Sequence, residues 1–120
     1  MYQAELKFIT YDSPIGRDEA EKVCLSKEFC LSVCLGIGCK DDDAIEYFYL
    51  YIMDYNYLLK NEYSWGKNVL FVSNNDLDKI ETIIRKTISS ITGTSWDEIR
   101  NHLIYYMGSE YDNETYYHID

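Results

Sequence analysis

The chain has 120 residues, of which 47% are hydrophobic and 16% aromatic, with 13 tyrosines against 4 phenylalanines and 2 tryptophans. That length and composition fit one domain, residues 1–120, with its own core, and exclude a disordered chain, which would be poor in aromatics. Lys and Arg total 11 against 21 Asp and Glu, and a net charge of −10 argues against direct DNA or RNA binding outside a local basic patch.

The amino-terminal stretch MYQAELKFIT has no basic region followed by an apolar run, so no secretory signal is expected. Residues 2–9 alternate instead. Tyr2, Ala4, Leu6 and Phe8 fall on one side and Gln3, Glu5 and Lys7 on the other, the period of a half-buried strand. YDSPIGRDEAEKVCLSKE then predicts a short helix that starts at Ser13-Pro14 or at Asp18, with acids early and Lys22 and Lys27 late, as the helix dipole favours.

Residues 29–39, FCLSVCLGIGC, alternate more strictly than any other stretch. Phe29, Leu31, Val33, Leu35 and Ile37 face one way, and Cys30, Ser32, Cys34, Gly36 and Gly38 the other. After a KDDD turn, a third strand runs from residue 44 to 53 or beyond. By parity, Tyr47, Tyr49, Tyr51, Met53, Tyr55 and Tyr57 share one face and Phe48, Leu50 and Ile52 the other. A helix is the competing reading, because Ala44, Tyr47, Phe48, Tyr51, Ile52, Tyr55 and Leu58 also form a helical stripe. Tyrosine's preference for strands decides for the strand. The two strands form a hairpin in which tyrosines lie over small Cys, Ser and Gly positions of the neighbour.

KNVLFVS, residues 67–73, reads as a strand buried on both faces. NNDLDKIETIIRKTISSITG is a helix capped at Asn75, with Leu77, Ile80, Ile83, Ile84, Thr87, Ile88 and Ile91 along one side and Gly93 ending it. TSWDEIRNHLIYYMG is a second helix. Ser95 and Glu98 fit a capping box, and Trp96, Ile99, Leu103 and Tyr106 or Met107 face inward. Residues 108–120, acidic and rich in tyrosine, add an edge strand or stay mobile. The order β-α-β-β-β-α-α predicts an α+β single domain, a mainly antiparallel sheet of about four strands with helices packed on one face.

Chemistry is hard to find in this chain. It contains no GxSxG, HExxH, GxxxxGK[ST] or GxGxxG. Cys24, Cys30, Cys34 and Cys39 match no CxxC redox or zinc spacing and read as reduced thiols in or near the core of a cytoplasmic protein. His102 and His118 lie far apart with no metal or triad spacing, and TGTS at 92–95, followed by Asp97 and Glu98, reads as a helix cap rather than a phosphate cradle. No catalytic residue, metal or cofactor is expected, and no apolar run approaches the ~20 residues of a membrane span.

Binding signals are stronger. Residues 1–40 carry 5 basic and 6 acidic side chains, residues 41–120 carry 6 basic and 15 acidic, so the negative field belongs to the later part of the chain. Tyrosine gives large contact area with few rotatable bonds, and carboxylates beside it complement a basic surface. That combination occurs twice: Asp41, Asp42, Asp43 and Glu46 beside Tyr47, Tyr49, Tyr51 and Tyr55, then Glu110, Asp112 and Glu114 among Tyr111, Tyr116 and Tyr117. The plainer alternative is that the first tyrosine face packs under another element and the aspartates only solvate a turn.

A small acidic chain without active-site motifs matches the size and charge of two kinds of inhibitor. The first expectation is an immunity protein that neutralises a nuclease-type bacterial toxin by covering its basic cleft. A phage-encoded inhibitor of a host defence nuclease, of anti-CRISPR or DNA-mimic type, is second, and a small enzyme or ligand-binding domain third. No family motif is matched.

Overall fold

The computed structural model describes residues 1–11, 16–26, 28–61 and 68–110. Its centre is the strictly alternating stretch, now β2 (Cys30–Cys39), flanked by β1 (Tyr2–Tyr11) and β3 (Glu46–Asp54). Both neighbours pair with it antiparallel. The other elements are α1 (Arg17–Cys24), α2 (Tyr55–Lys60), β4 (Val69–Val72), α3 (Leu77–Ser89), β5 (Thr92–Gly93), α4 (Trp96–Leu103) and β6 (Gly108–Ser109). The sheet order is β4-β3-β2-β1-β5, with β6 added to β3. This is the expected α+β architecture.

One face of the sheet makes the core. Leu31, Val33, Leu35 and Ile37 of β2 and Phe48, Leu50 and Ile52 of β3 are buried there against Ala20 and Cys24 of α1, Leu77, Ile80, Ile84 and Ile88 of α3, and Ile99 and Leu103 of α4. Apolar side chains every second residue in the strands, and every third or fourth in the helices, put these residues on one side of each element. Arg17 ties α1 to α3 by ion pairs with Asp78 and Glu81 while also meeting Glu21 of its own helix. Beside it the Tyr11 hydroxyl donates to Glu81, and burial followed by that carboxylate pushes the phenol's pKa far up.

Several expectations are corrected. In β1 the pairing register shifts between Leu6 and Phe8, a β-bulge that flips the parity of every later residue. Ala4 and Leu6 stay in the core, whereas Tyr2 is exposed and Phe8 turns to the opposite face. The third strand ends at Asp54, whose carboxylate accepts from the Asn56 N–H at 3.0 Å and starts α2, so Tyr55 and Tyr57 are helical. β4 is an edge strand, with Phe71 exposed, not a strand buried on both faces. It runs parallel to β3, and α2 lies in the connection between the two strands.

The helix over 77–89 is capped by Asp76, one residue after the expected Asn75. It stops before Gly93, because Thr92 and Gly93 turn back to pair with Gln3 and Tyr2 as β5. Its Ile83 and Thr87, expected on the inner side, are exposed. Ser95 does cap α4, but Glu98 completes the box on the Thr94 N–H and hydroxyl rather than on its cap residue, and those bonds hold its carboxyl below the ordinary value. Of the two inward candidates after α4, Met107 is buried and Tyr106 exposed. The Ser13-Pro14 helix start and the tail beyond Glu110 lie outside the described residues. Among the described residues, no helix is long and apolar enough to cross a membrane.

Candidate functional site

The sheet face opposite the core is where the tyrosines go. Register pairs Tyr47 with Gly36, Tyr49 with Cys34, and Tyr51 with Ser32, so each ring of β3 lies beside a small residue of β2. The three tyrosines remain 43%, 46% and 48% exposed, while Phe48, Leu50 and Ile52 between them are buried. Small neighbours leave each ring room to lie along the sheet while one side stays open to a partner. Partial burial raises the pKa of the Tyr49 hydroxyl, which keeps it a neutral hydrogen-bonding group at physiological pH.

Two aromatics that alternation could not place extend this face. Phe8, turned outward by the bulge, lies over Gly36, where an added Cβ would overlap its ring. Its ring meets Tyr47 edge-on, with centroids 5.9 Å apart. Gly36 therefore serves Phe8 as much as Tyr47. Gly38, also read as a partner for a tyrosine ring, instead lets the Ala44 carbonyl approach its backbone. At the far end, Phe71 pairs with Met53 and stands exposed on the edge strand. Gly36 inside a strand was the signal for a close ring; nothing local marked Phe71 as an edge residue.

The acidic turn joins β2 to β3 at the Tyr47 end. Asp41 takes a left-handed backbone with φ of 70°, a conformation Asp tolerates better than most residues. The Asp42 N–H donates to the Cys39 carbonyl at 3.1 Å, and its carboxylate accepts from the Ala44 N–H at 3.1 Å. Asp41, Asp42 and Asp43 are all exposed. The first acidic group and the start of the second meet here, because β6 lies against β3 and brings Glu110 to Tyr47. The Tyr47 N–H donates to the Glu110 carboxylate at 3.0 Å, and the Glu110 N–H donates to the Tyr47 carbonyl at 3.1 Å.

Two residues grouped with this surface sit elsewhere. Glu46 pairs with the inward Ile37, is 8% exposed, and accepts from Trp96 Nε1 at 3.1 Å, Arg100 Nε at 2.7 Å and Ser109 Oγ at 2.9 Å. It anchors α4 and β6 to the sheet instead of facing solvent. Tyr55 opens α2, exposed but off the strand. Tyr111, Asp112, Glu114 and Tyr116 lie outside the described residues.

A catalytic reading finds little to work with. Among the described residues no group of three His, Cys, Asp or Glu is arranged to hold a metal. All four cysteines are free, and burial pushes the Cys24 thiol up to about 11, away from nucleophilic use. His102 is exposed on α4. What the described residues build is a sheet face of half-open aromatics bordered by carboxylates.

No curated protein and no solved structure matches the chain. The family model for Immunity protein 8 matches residues 7–114, a span that includes the tyrosine strand, the acidic turn and helices α1 to α4. With the match covering nearly the whole chain, the protein belongs to the Immunity protein 8 family.

Proposed function

We propose that this immunity protein, a non-enzymatic inhibitor of a cognate toxin, neutralises a nuclease-type toxin by covering its basic active-site cleft, with Tyr47, Tyr49 and Tyr51 as the buried anchors. Asp41, Asp42, Asp43 and Glu110 supply the flanking charge. The observation that carries the reading is the exposure of three tyrosines in a row on a strand whose alternate residues are fully packed. Strand tyrosines that only stabilised a fold would be expected under another element. Instead they form a flat apolar strip with acids at one end, the complement of a cleft that binds phosphate backbones. Phe8 and Phe71 lengthen the strip. The net charge of −10 draws a basic partner in, and burial of the rings retains it.

The test pairs the protein with the toxin encoded beside its gene. A stoichiometric complex that abolishes nucleic-acid cleavage is expected, weakened by salt and by Asp41→Lys combined with Asp43→Lys. Unchanged affinity of that double variant at low salt would reduce the acidic turn to a solvated surface. A neighbouring toxin without nuclease activity would remove the nuclease assignment while leaving the immunity role.

A further inference from the structure

The same strongly acidic chain gathers three cations at one place. Gln3, Glu5 and Lys7 of β1, with Lys40, Arg85 and Ser89, line a concavity of about 520 Å³, within the ~300–1,000 Å³ range of ligand clefts. It exists because β1 has a partner strand along one side only. β2 pairs from Ala4 to Tyr11, whereas β5 pairs only at Tyr2 and Gln3. Beyond that point α3 runs along the open edge. Gln3 Nε2 donates to the Ser89 carbonyl at 2.6 Å, and Arg85 Nη1 to the Leu6 carbonyl at 3.2 Å.

Elsewhere among the described residues, Arg17, Lys22, Lys60 and Arg100 each have a carboxylate within 4.0 Å, whereas Lys79 and Lys86 of α3 have none. Among the described residues Lys40 and Arg85 have none, and Lys7 has only Glu5, at 2.8 Å. Glu5 is the one carboxylate in the lining, and the surrounding Lys7, Lys40 and Arg85 together hold it below its ordinary pKa. Asp42 and Asp43 reach Lys7 through space from the hairpin turn without lining the concavity.

We propose that this concavity is a second binding site, taking an acidic, extended peptide segment of a partner protein. Three cations set against a single carboxylate call for an anionic occupant, and Arg85 offers a planar fork suited to a carboxylate. A phosphate dianion fits poorly. α3 presents its carbonyl end here, at Ser89, so the helix N–H groups that hold phosphates are absent and the side-chain cations alone hold an occupant. The neighbouring stretch of β1 is already engaged, with the Ala4 N–H donating to the Ile91 carbonyl at 2.9 Å and Arg85 on the Leu6 carbonyl, so side chains supply the contacts to an occupant. The site is independent of the tyrosine face and opposite to it in sign.

Amide spectra of the isotope-labelled protein, titrated at low salt with hexaglutamate and in parallel with inorganic phosphate, test this without any toxin. Saturable shifts at Lys7, Lys40, Arg85 and Ser89 are expected with the peptide, and Lys40→Gln with Arg85→Gln should weaken binding by about tenfold or more. Lys40→Glu, at an exposed turn position, serves if the Arg85 change disturbs folding. Absence of saturation at millimolar peptide, equal binding by the variants, or phosphate competing as well as hexaglutamate would each overturn the proposal.

Discussion

Glu46 illustrates how one carboxylate can belong to a surface cluster by sequence and to the interior by structure. Strand parity alone puts it with Phe48, and an ionised group on that side must be paired. Trp96, Arg100 and Ser109 provide the donors, two from α4 and one from β6. Replacing Glu46 with Ala takes a shared acceptor from all three, so a loss of about 3 kcal/mol is expected in urea unfolding. Asp43→Ala, on the exposed turn of the same run, should fall within about 0.5 kcal/mol of the parent. Equal effects at the two positions would mean that Glu46 is solvated.

At the scale of elements, the boundaries reflect particular hydrogen bonds. Asp76 accepts from the Asp78 and Lys79 N–H groups at 3.0 and 3.4 Å, and Ser95 accepts from the Glu98 N–H at 3.2 Å. Asp76→Ala and Ser95→Ala should each cost about 1 kcal/mol in thermal or chemical unfolding, the usual value of such a cap. Asn75→Ala should cost much less, although Asn75 is the cap that the sequence predicts. The bulge in β1 is a different kind of feature. Lys7 carries no residue-type signal for it, since neither glycine nor proline is nearby, and only the register against β2 shows it. Its result is Phe8 over Gly36, on the same sheet face as the tyrosines.

For the whole molecule, charge and aromatic burial should act on different rates of toxin binding. A net charge of −10 accelerates encounter with a basic partner over distances that salt screens. Raising ionic strength from low to about 0.5 M should slow association on the order of tenfold and leave dissociation nearly constant. Tyr49→Ala, in the middle of the exposed strip, should instead speed dissociation, with association little changed. Stopped-flow measurement with the cognate toxin separates the two effects. A variant that altered only association would place Tyr49 outside the buried contact.

The sequence by itself determined the α+β class, the hairpin that sets tyrosines beside small residues, the inward stripe of α3 apart from Ile83 and Thr87, that of α4, and the Ser95 cap. All of these depend on spacing within a segment or between adjacent segments, and alternation or helical periodicity records such spacing directly. The edge position of β4, the outward turn of Phe8 and the meeting of Glu110 with Tyr47 were decided only by tertiary structure. Each depends on which distant strand occupies an edge or where a register shifts by one residue. The cation-lined concavity has the same origin: Lys7, Lys40 and Arg85 are far apart in the chain and meet only because α3 closes the open side of β1.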